Sequence, residues 1–195
     1  MSEPSSGREP RKDARQNREH ILEAARQAFG LDSVDVSMDG IAKLAGVGPG
    51  TLYRHFPSKD ALLATLLARH HQKLDQRRAI IEAENHSTGR ALALWIEALG
   101  DWMQAYEGLP EPLRAACRID SALTPTCLNV ITTTEKMVRA AQADGNARPD
   151  ITGRTVFLGA LAIAWAGGAT AADQNTQRVL REVLREGWEK NGSSG

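Results

Sequence analysis

The sequence predicts an all-α protein, and three observations predict it. Its apolar residues are mostly Ala and Leu, with nine aromatics and few β-branched runs, a usage that favours helix over sheet. Those residues recur at spacings of three and four from Ile21 to Trp188, the period of helices with one buried face. Caps and breakers divide the pattern into about nine helices, with no strand alternation and no internal repeat. At 195 residues, the chain suits one compact domain or two small ones sharing a core.

The elements follow in order. Residues 1–12 are rich in Ser, Pro, Gly and charge, and are expected to form a flexible basic arm. From Asp13 a helix carries Ile21, Leu22, Ala25, Ala28 and Phe29 on one face and stops at Gly30. Ser37 is a good N-cap for a short helix bearing Ile41, Leu44 and Ala45, which Gly46 breaks. Gly48 then caps a helix opened by Pro49, whose missing N–H costs nothing at that position. That helix is barely two turns long, because Pro57 ends it near Phe56. Two short helices joined by a tight glycine turn and braced by longer ones describe a helix-turn-helix unit, here residues 13–60.

Ser58 caps a long connecting helix, 58–85, with Leu62, Leu63, Leu66, Leu67, Leu74 and Ile81 inward. Asn85–Gly89 is the expected joint to a second helical unit, 88–190. Its first helix carries Leu92, Trp95, Ile96, Leu99, Trp102, Met103 and Tyr106, and is punctuated by Gly108, Pro110 and Pro112. Thr124-Pro125 opens a helix that runs to about Asp144, and Gly145–Asp150 is a loop. An uncharged helix starts near Thr152, and Asp173 caps the last one, which ends near Lys190. Residues 191–195 are a flexible tail.

Charge narrows the partners. The chain holds 24 basic and 24 acidic residues, which excludes a uniformly basic nucleic-acid coat and an acidic disordered tail. The halves differ, however. Residues 1–78 hold 13 Lys/Arg against 10 Asp/Glu, net +3, and residues 79–195 hold 11 against 14, net −3. A polyanion would therefore be met at the N-terminal end. Two cysteines, Cys117 and Cys127, make no disulfide framework, so a reducing cytoplasm is expected. The first twenty residues are too polar for a signal peptide, so none is expected there. Thr155–Ala172 reaches 18 uncharged residues, but glycines and polar residues dilute it, so a packing helix is expected and no membrane partner. There is no Gly-rich phosphate loop, His-Glu-x-x-His or Gly-x-Ser-x-Gly, which argues against an enzyme, and no cofactor is implied. His70, His71 and His86 lack ligand spacing, so they are expected on a solvated face and no metal site is expected.

The stretch Ser37–Leu63 carries the strongest signal. Ile41-Ala42, Ala45-Gly46-Val47, Gly50-Thr51-Leu52-Tyr53, His55-Phe56, Lys59 and Leu62 closely resemble the DNA-binding signature of the TetR family of bacterial transcriptional regulators. The resemblance covers residues 15–70, and beyond that only the helical layout agrees. It implies a cytoplasmic regulator in which Ser37, Pro49, Gly50, Thr51, Tyr53, His55 and Lys59 face DNA, while Leu52 and Phe56 face the domain's own core. Physically, a two-turn helix fits its N-terminal end into a major groove of about 12 Å. Thr51, Tyr53 and His55 offer donors to backbone oxygens, contacts that set register without reading sequence. Gly48, Pro49 and Gly50 have almost no hydrogen-bonding side chain, leaving Arg54 to read a guanine or to hold a phosphate. Arg8, Arg11, Lys12, Arg15 and Arg18 either follow a groove or are simply solvated.

The resemblance also implies a homodimer on a palindromic double-stranded operator. Pairing is assigned to the last two helices: Gly159, Ala160, Ala164 and Gly167 (with Gly168) allow close approach, and Val179, Leu180, Val183, Leu184 and Trp188 form an apolar stripe. Some of each must face the chain's own core. Trp95, Trp102, Met103, Tyr106, Cys117 and Trp165 are candidates to line a pocket for an uncharged or weakly polar organic effector, or are core. The expected function is a repressor released by that ligand. Alternatives are an activator without an effector and a helical adaptor whose helix-turn-helix is vestigial.

Overall fold

The computed structural model describes residues 10–31, 34–106, 108–118, 120–168 and 173–190. It is helical throughout, with nine helices and no strand among those residues: α1 (Pro10–Leu31), α2 (Met38–Leu44), α3 (Pro49–His55), α4 (Lys59–Ala83), α5 (Thr88–Met103), α6 (Pro110–Ala116), α7 (Thr124–Ala143), α8 (Gly153–Gly168) and α9 (Gln174–Trp188). Residues 1–9 of the expected arm and the tail 191–195 lie outside the described residues.

Local chemistry sets the ends of these helices. The Oγ atoms of Ser37, Ser58 and Ser87 accept backbone N–H groups of the first turn, at 3.0, 3.1 and 3.3 Å, and Asp173 accepts from Thr176 at 2.7 Å. Each bond satisfies a donor that the helix itself leaves without a partner. Helix α6 was not expected, because Pro110 and Pro112 look like breakers. They occupy the first turn, where no intrahelical N–H bond is made. Leu44 is 63% exposed rather than inward. The Ser37 cap sets a phase that turns Met38, Ile41 and Ala42 into the core and leaves Leu44 on the flank.

The core is one continuous cluster across the expected joint. Ile21, Phe29, Ile41, Leu52 and Phe56 of the N-terminal unit pack through Leu63, Leu67 and Leu74 of α4 onto Trp95, Leu99 and Trp102 of α5. The ring of Tyr106, just beyond α5, stands edge-on to Phe29 of α1 at 6.0 Å. Helix α4 is therefore shared by both halves, which explains its lack of a clean polar face. A second cluster gathers Leu92, Val138, Ala141, Ala147, Val156 and Trp188. There an isolated bridge between Ala147 and Glu189 clasps the end of α9. Gly153 lets α8 cross α7 so closely that an added Cβ would overlap the Glu135 backbone. No helix among the described residues is long and apolar enough to cross a membrane.

Candidate nucleic-acid interface and the core behind it

The interface is built on the short helix α3. Gly46 takes φ +66° in the turn before it, a conformation open to glycine at no steric cost. Leu52 and Phe56 are 0% and 2% exposed and anchor one face. The same helix then turns Gly48, Pro49, Gly50, Tyr53 and Arg54 to solvent and leaves Thr51 and His55 half-buried. Tyr53 is 46% exposed, so its ring is not part of the core. A Cβ added at Gly48 or Gly50 meets no atom within 4 Å, so those glycines answer to nothing inside the protein. Ser37, exposed at the start of α2, spends its Oγ on the cap. The Lys59 ammonium donates to the Val34 carbonyl at 3.0 Å, which ties the loop to α4 and leaves two donors free. Helix α1 begins at Pro10, inside the expected arm, so Arg11, Lys12, Arg15 and Arg18 belong to α1 rather than to an arm, and the Arg18 guanidinium lies 5.1 Å over the Phe56 ring, a cation–π contact.

Behind this unit, the six residues expected to line a pocket fall in four places. Trp95 and Met103 are core, and the Trp95 indole N–H donates to the Thr134 hydroxyl at 2.9 Å. Trp102 and Tyr106 meet the two histidines of α4: the rings of Trp102 and His71 are 6.2 Å apart and those of Tyr106 and His70 are 5.3 Å apart, both edge-on. Trp102 Nε1 and His71 Nδ1 are buried with no hydrogen-bond partner. His70 and His71 were expected on a solvated face, but α5 and Tyr106 pack against that side of α4, and Asn129 of α7 lies 3.1 Å from His71 Nε2. Burial, then Lys73, holds the His70 imidazole below its ordinary value. Cys117 lies apart, in a cleft of about 190 Å³ with Cys127 and Arg154. Burial raises both thiols, Cys127 to about 12, so neither carries much thiolate at neutral pH. Trp165 is 60% exposed and edges a depression of about 460 Å³ between α6 and α8. Among the described residues no cluster of His, Cys, Asp and Glu is placed to hold a metal ion.

The last two helices divide their apolar residues. Ala160, Ala164 and Trp188 are 3%, 1% and 2% exposed, so they have little to offer a second chain. Gly159 faces Leu184, and Gly167 faces Gln104 and Gln177, which spends those three assigned residues on contacts within the chain. Val179 and Val183 point outward, 42% and 59% exposed, with Leu180 half-buried. Leu158 of α8 is also exposed, at 39%. Leu158 lies on the same exposed side of α8 as Ala162 and Trp165, beside α6.

Comparison with known proteins decides what this arrangement belongs to. A family model described as bacterial regulatory proteins of the tetR family matches residues 21–66, and one described as the SbtR-like transcriptional regulator C-terminal domain matches residues 87–189, more than half of the chain. The chain belongs to the TetR family. An HTH-type transcriptional regulator of Staphylococcus aureus is 47% identical over 60 residues, 30% of this chain and 32% of that protein, so the chain matches about a third of that relative's length. The TetR transcriptional regulator SCO0520 of Streptomyces coelicolor is 27% identical, with 90% of this chain and 99% of that one covered and a TM-score of 0.56. FadR of Thermus thermophilus, a repressor crystallised with lauroyl-CoA, shares the fold at 19% identity, covering 86% and 91%, with a TM-score of 0.61. This chain is thus a member of a family of bacterial transcriptional regulators.

Proposed function

We propose that this regulator is a cytoplasmic homodimeric repressor that leaves a palindromic operator when a weakly polar organic molecule enters its C-terminal half. For the DNA side, the support is the division of α3: Leu52 and Phe56 are spent on the core, while Gly48, Pro49, Gly50, Tyr53 and Arg54 are exposed. Gly50 admits close backbone approach to the groove. Thr51, Tyr53, His55, Ser37 and Lys59 hold phosphates, and Arg54 is the guanine reader. For pairing, the support is the outward-facing Val179 and Val183 of α9, with Leu180 half-buried between them and Leu158 exposed on α8, from which two copies build a four-helix bundle.

One observation carries the ligand-responsive half of the proposal: the unpartnered pair Trp102 Nε1 and His71 Nδ1. A buried polar atom left without a partner costs about 1–3 kcal/mol. A ligand that accepts from the indole N–H and meets the imidazole recovers that cost, which favours a neutral molecule with a carbonyl, hydroxyl or ether oxygen on an apolar body. The FadR structure with lauroyl-CoA supports the reading that this fold takes up organic ligands. The pair lies on α4 and α5, next to the Tyr106–Phe29 contact with α1. A ligand there moves α4 relative to α1 and spreads the two recognition helices. Couplings of about 1–3 kcal/mol weaken operator binding about 5–150-fold.

The double substitution Tyr53→Ala with His55→Ala tests the assignment. Neither side chain belongs to the core, so the melting temperature holds while operator affinity drops steeply. Unchanged affinity would remove α3 from the interface and bring forward the adaptor reading.

A further inference from the structure

Helix α9 rests on α8 and is clasped at its C-terminal end, but it stands off from α5. Ala93 and Gly100, seven residues apart on α5, have no bulk to bridge the gap. The result is a groove of about 580 Å³ between α5 and α9. Its floor is apolar, formed by Ala93, Ile96 and the buried Trp188. Its rim is cationic, with Arg90 from α5 and Arg178, Arg181 and Arg185 from α9. Two acids also line it. Glu182 is engaged by Arg178 at 2.8 Å, and Glu97 is exposed on the α4 side of α5, where it also edges the cleft beside His70. Arg185 reaches Glu189 only at 4.0 Å. Arg90 and Arg181 make no hydrogen bond or ion pair with any described residue. Two guanidiniums without partners beside an apolar floor are a complementary surface for an anion that carries hydrocarbon.

We propose that the α5–α9 groove binds an amphiphilic anion, with its apolar body on Ala93, Ile96 and Trp188 and its carboxylate, phosphate or sulfonate held by Arg90 or Arg181. This site is separate from the interior atoms of Trp102 and His71. It is also separate from the pairing face. At 100° per residue, Val179 and Val183 lie on the side of α9 opposite the centre of the groove-lining set Arg178, Arg181 and Arg185. Pairing through those valines leaves the groove open, so a ligand in the groove acts on the seating of α9 without competing for the bundle.

The test uses the full chain and two probes. 1-Anilinonaphthalene-8-sulfonate, an aromatic sulfonate that brightens in apolar surroundings, reports occupancy, and decanoate and decanol compete for it. Decanoate displaces the dye and decanol does so at least about tenfold less well, because decanol lacks the charge that the arginines recognise. The variant Arg90→Gln/Arg181→Gln keeps its melting temperature, since neither side chain supports the fold, and binds the dye at least about tenfold more weakly. Trp102→Phe, which alters the interior site alone, binds the dye as the wild type does. Equal displacement by the two competitors, undiminished binding by the arginine variant, or loss of dye binding in Trp102→Phe would each overturn the proposal.

Discussion

Replacing Gly50 by alanine separates what α3 does for the fold from what it does for DNA. Gly50 is exposed, its φ is not in the left-handed region, and a Cβ built there meets no atom within 4 Å. Removing a glycine from a helix recovers up to about 1 kcal/mol of backbone entropy. In a chain of 195 residues, that raises the melting temperature by about 2–4 °C. On DNA the same methyl stands between the start of α3 and the groove. The loss expected is that of one spoiled base-pair contact, about 1–3 kcal/mol, or about 5–150-fold in affinity. Differential scanning calorimetry and fluorescence anisotropy on a selected duplex read the two effects. A variant that melts higher and still binds DNA with wild-type affinity would refute the placement of α3 against the groove.

Four further outcomes are expected. Gly153→Ala pushes a Cβ into the Glu135 backbone and costs about 1–3 kcal/mol or more, measured by urea unfolding; a stable variant would contradict the tight α7–α8 crossing. Trp95→Phe deprives the fully buried Thr134 hydroxyl of its donor and costs about 1–3 kcal/mol in the same assay, whereas no change would deny the bond. Because burial and Lys73 lower the His70 pKa from 6.5 in the folded chain, the unfolded chain takes up a proton that the folded one resists, so stability falls as pH drops through about 6.5. His70→Gln should flatten that part of the curve of melting temperature against pH, and an unaltered slope would assign it elsewhere. Val179→Asp with Val183→Asp puts charge on the outward face of α9 and should yield monomers in sedimentation; persistent dimers would move the pairing surface.

Local signals were legible in the sequence, and tertiary ones were less so. Ser37, Ser58 and Asp173 act within four residues of themselves, so their caps could be read directly, as could the glycine turn at Gly46, whereas the split of Leu52 and Phe56 from Tyr53 came only from the family resemblance. Pro110 and Pro112 misled because proline breaks a helix interior yet opens a first turn, and only the structure shows which applies. His71 reads as a solvated residue until Trp102 of α5 and Asn129 of α7 are set against it. Trp188 and Val183 share one apolar stripe in the sequence, but the bridge at Ala147 draws the tryptophan inward and leaves the valine outside. The α5–α9 groove depends on a gap between two helices, and neither helix records it alone.

The most direct test of the account is selection of bound duplexes from a random DNA library by the purified protein, repeated at two salt concentrations. An enriched palindrome is expected, with half-sites centred about one helical turn apart or somewhat more, bound with an affinity that falls steeply as salt rises. No enriched sequence, or binding indifferent to salt, would contradict it.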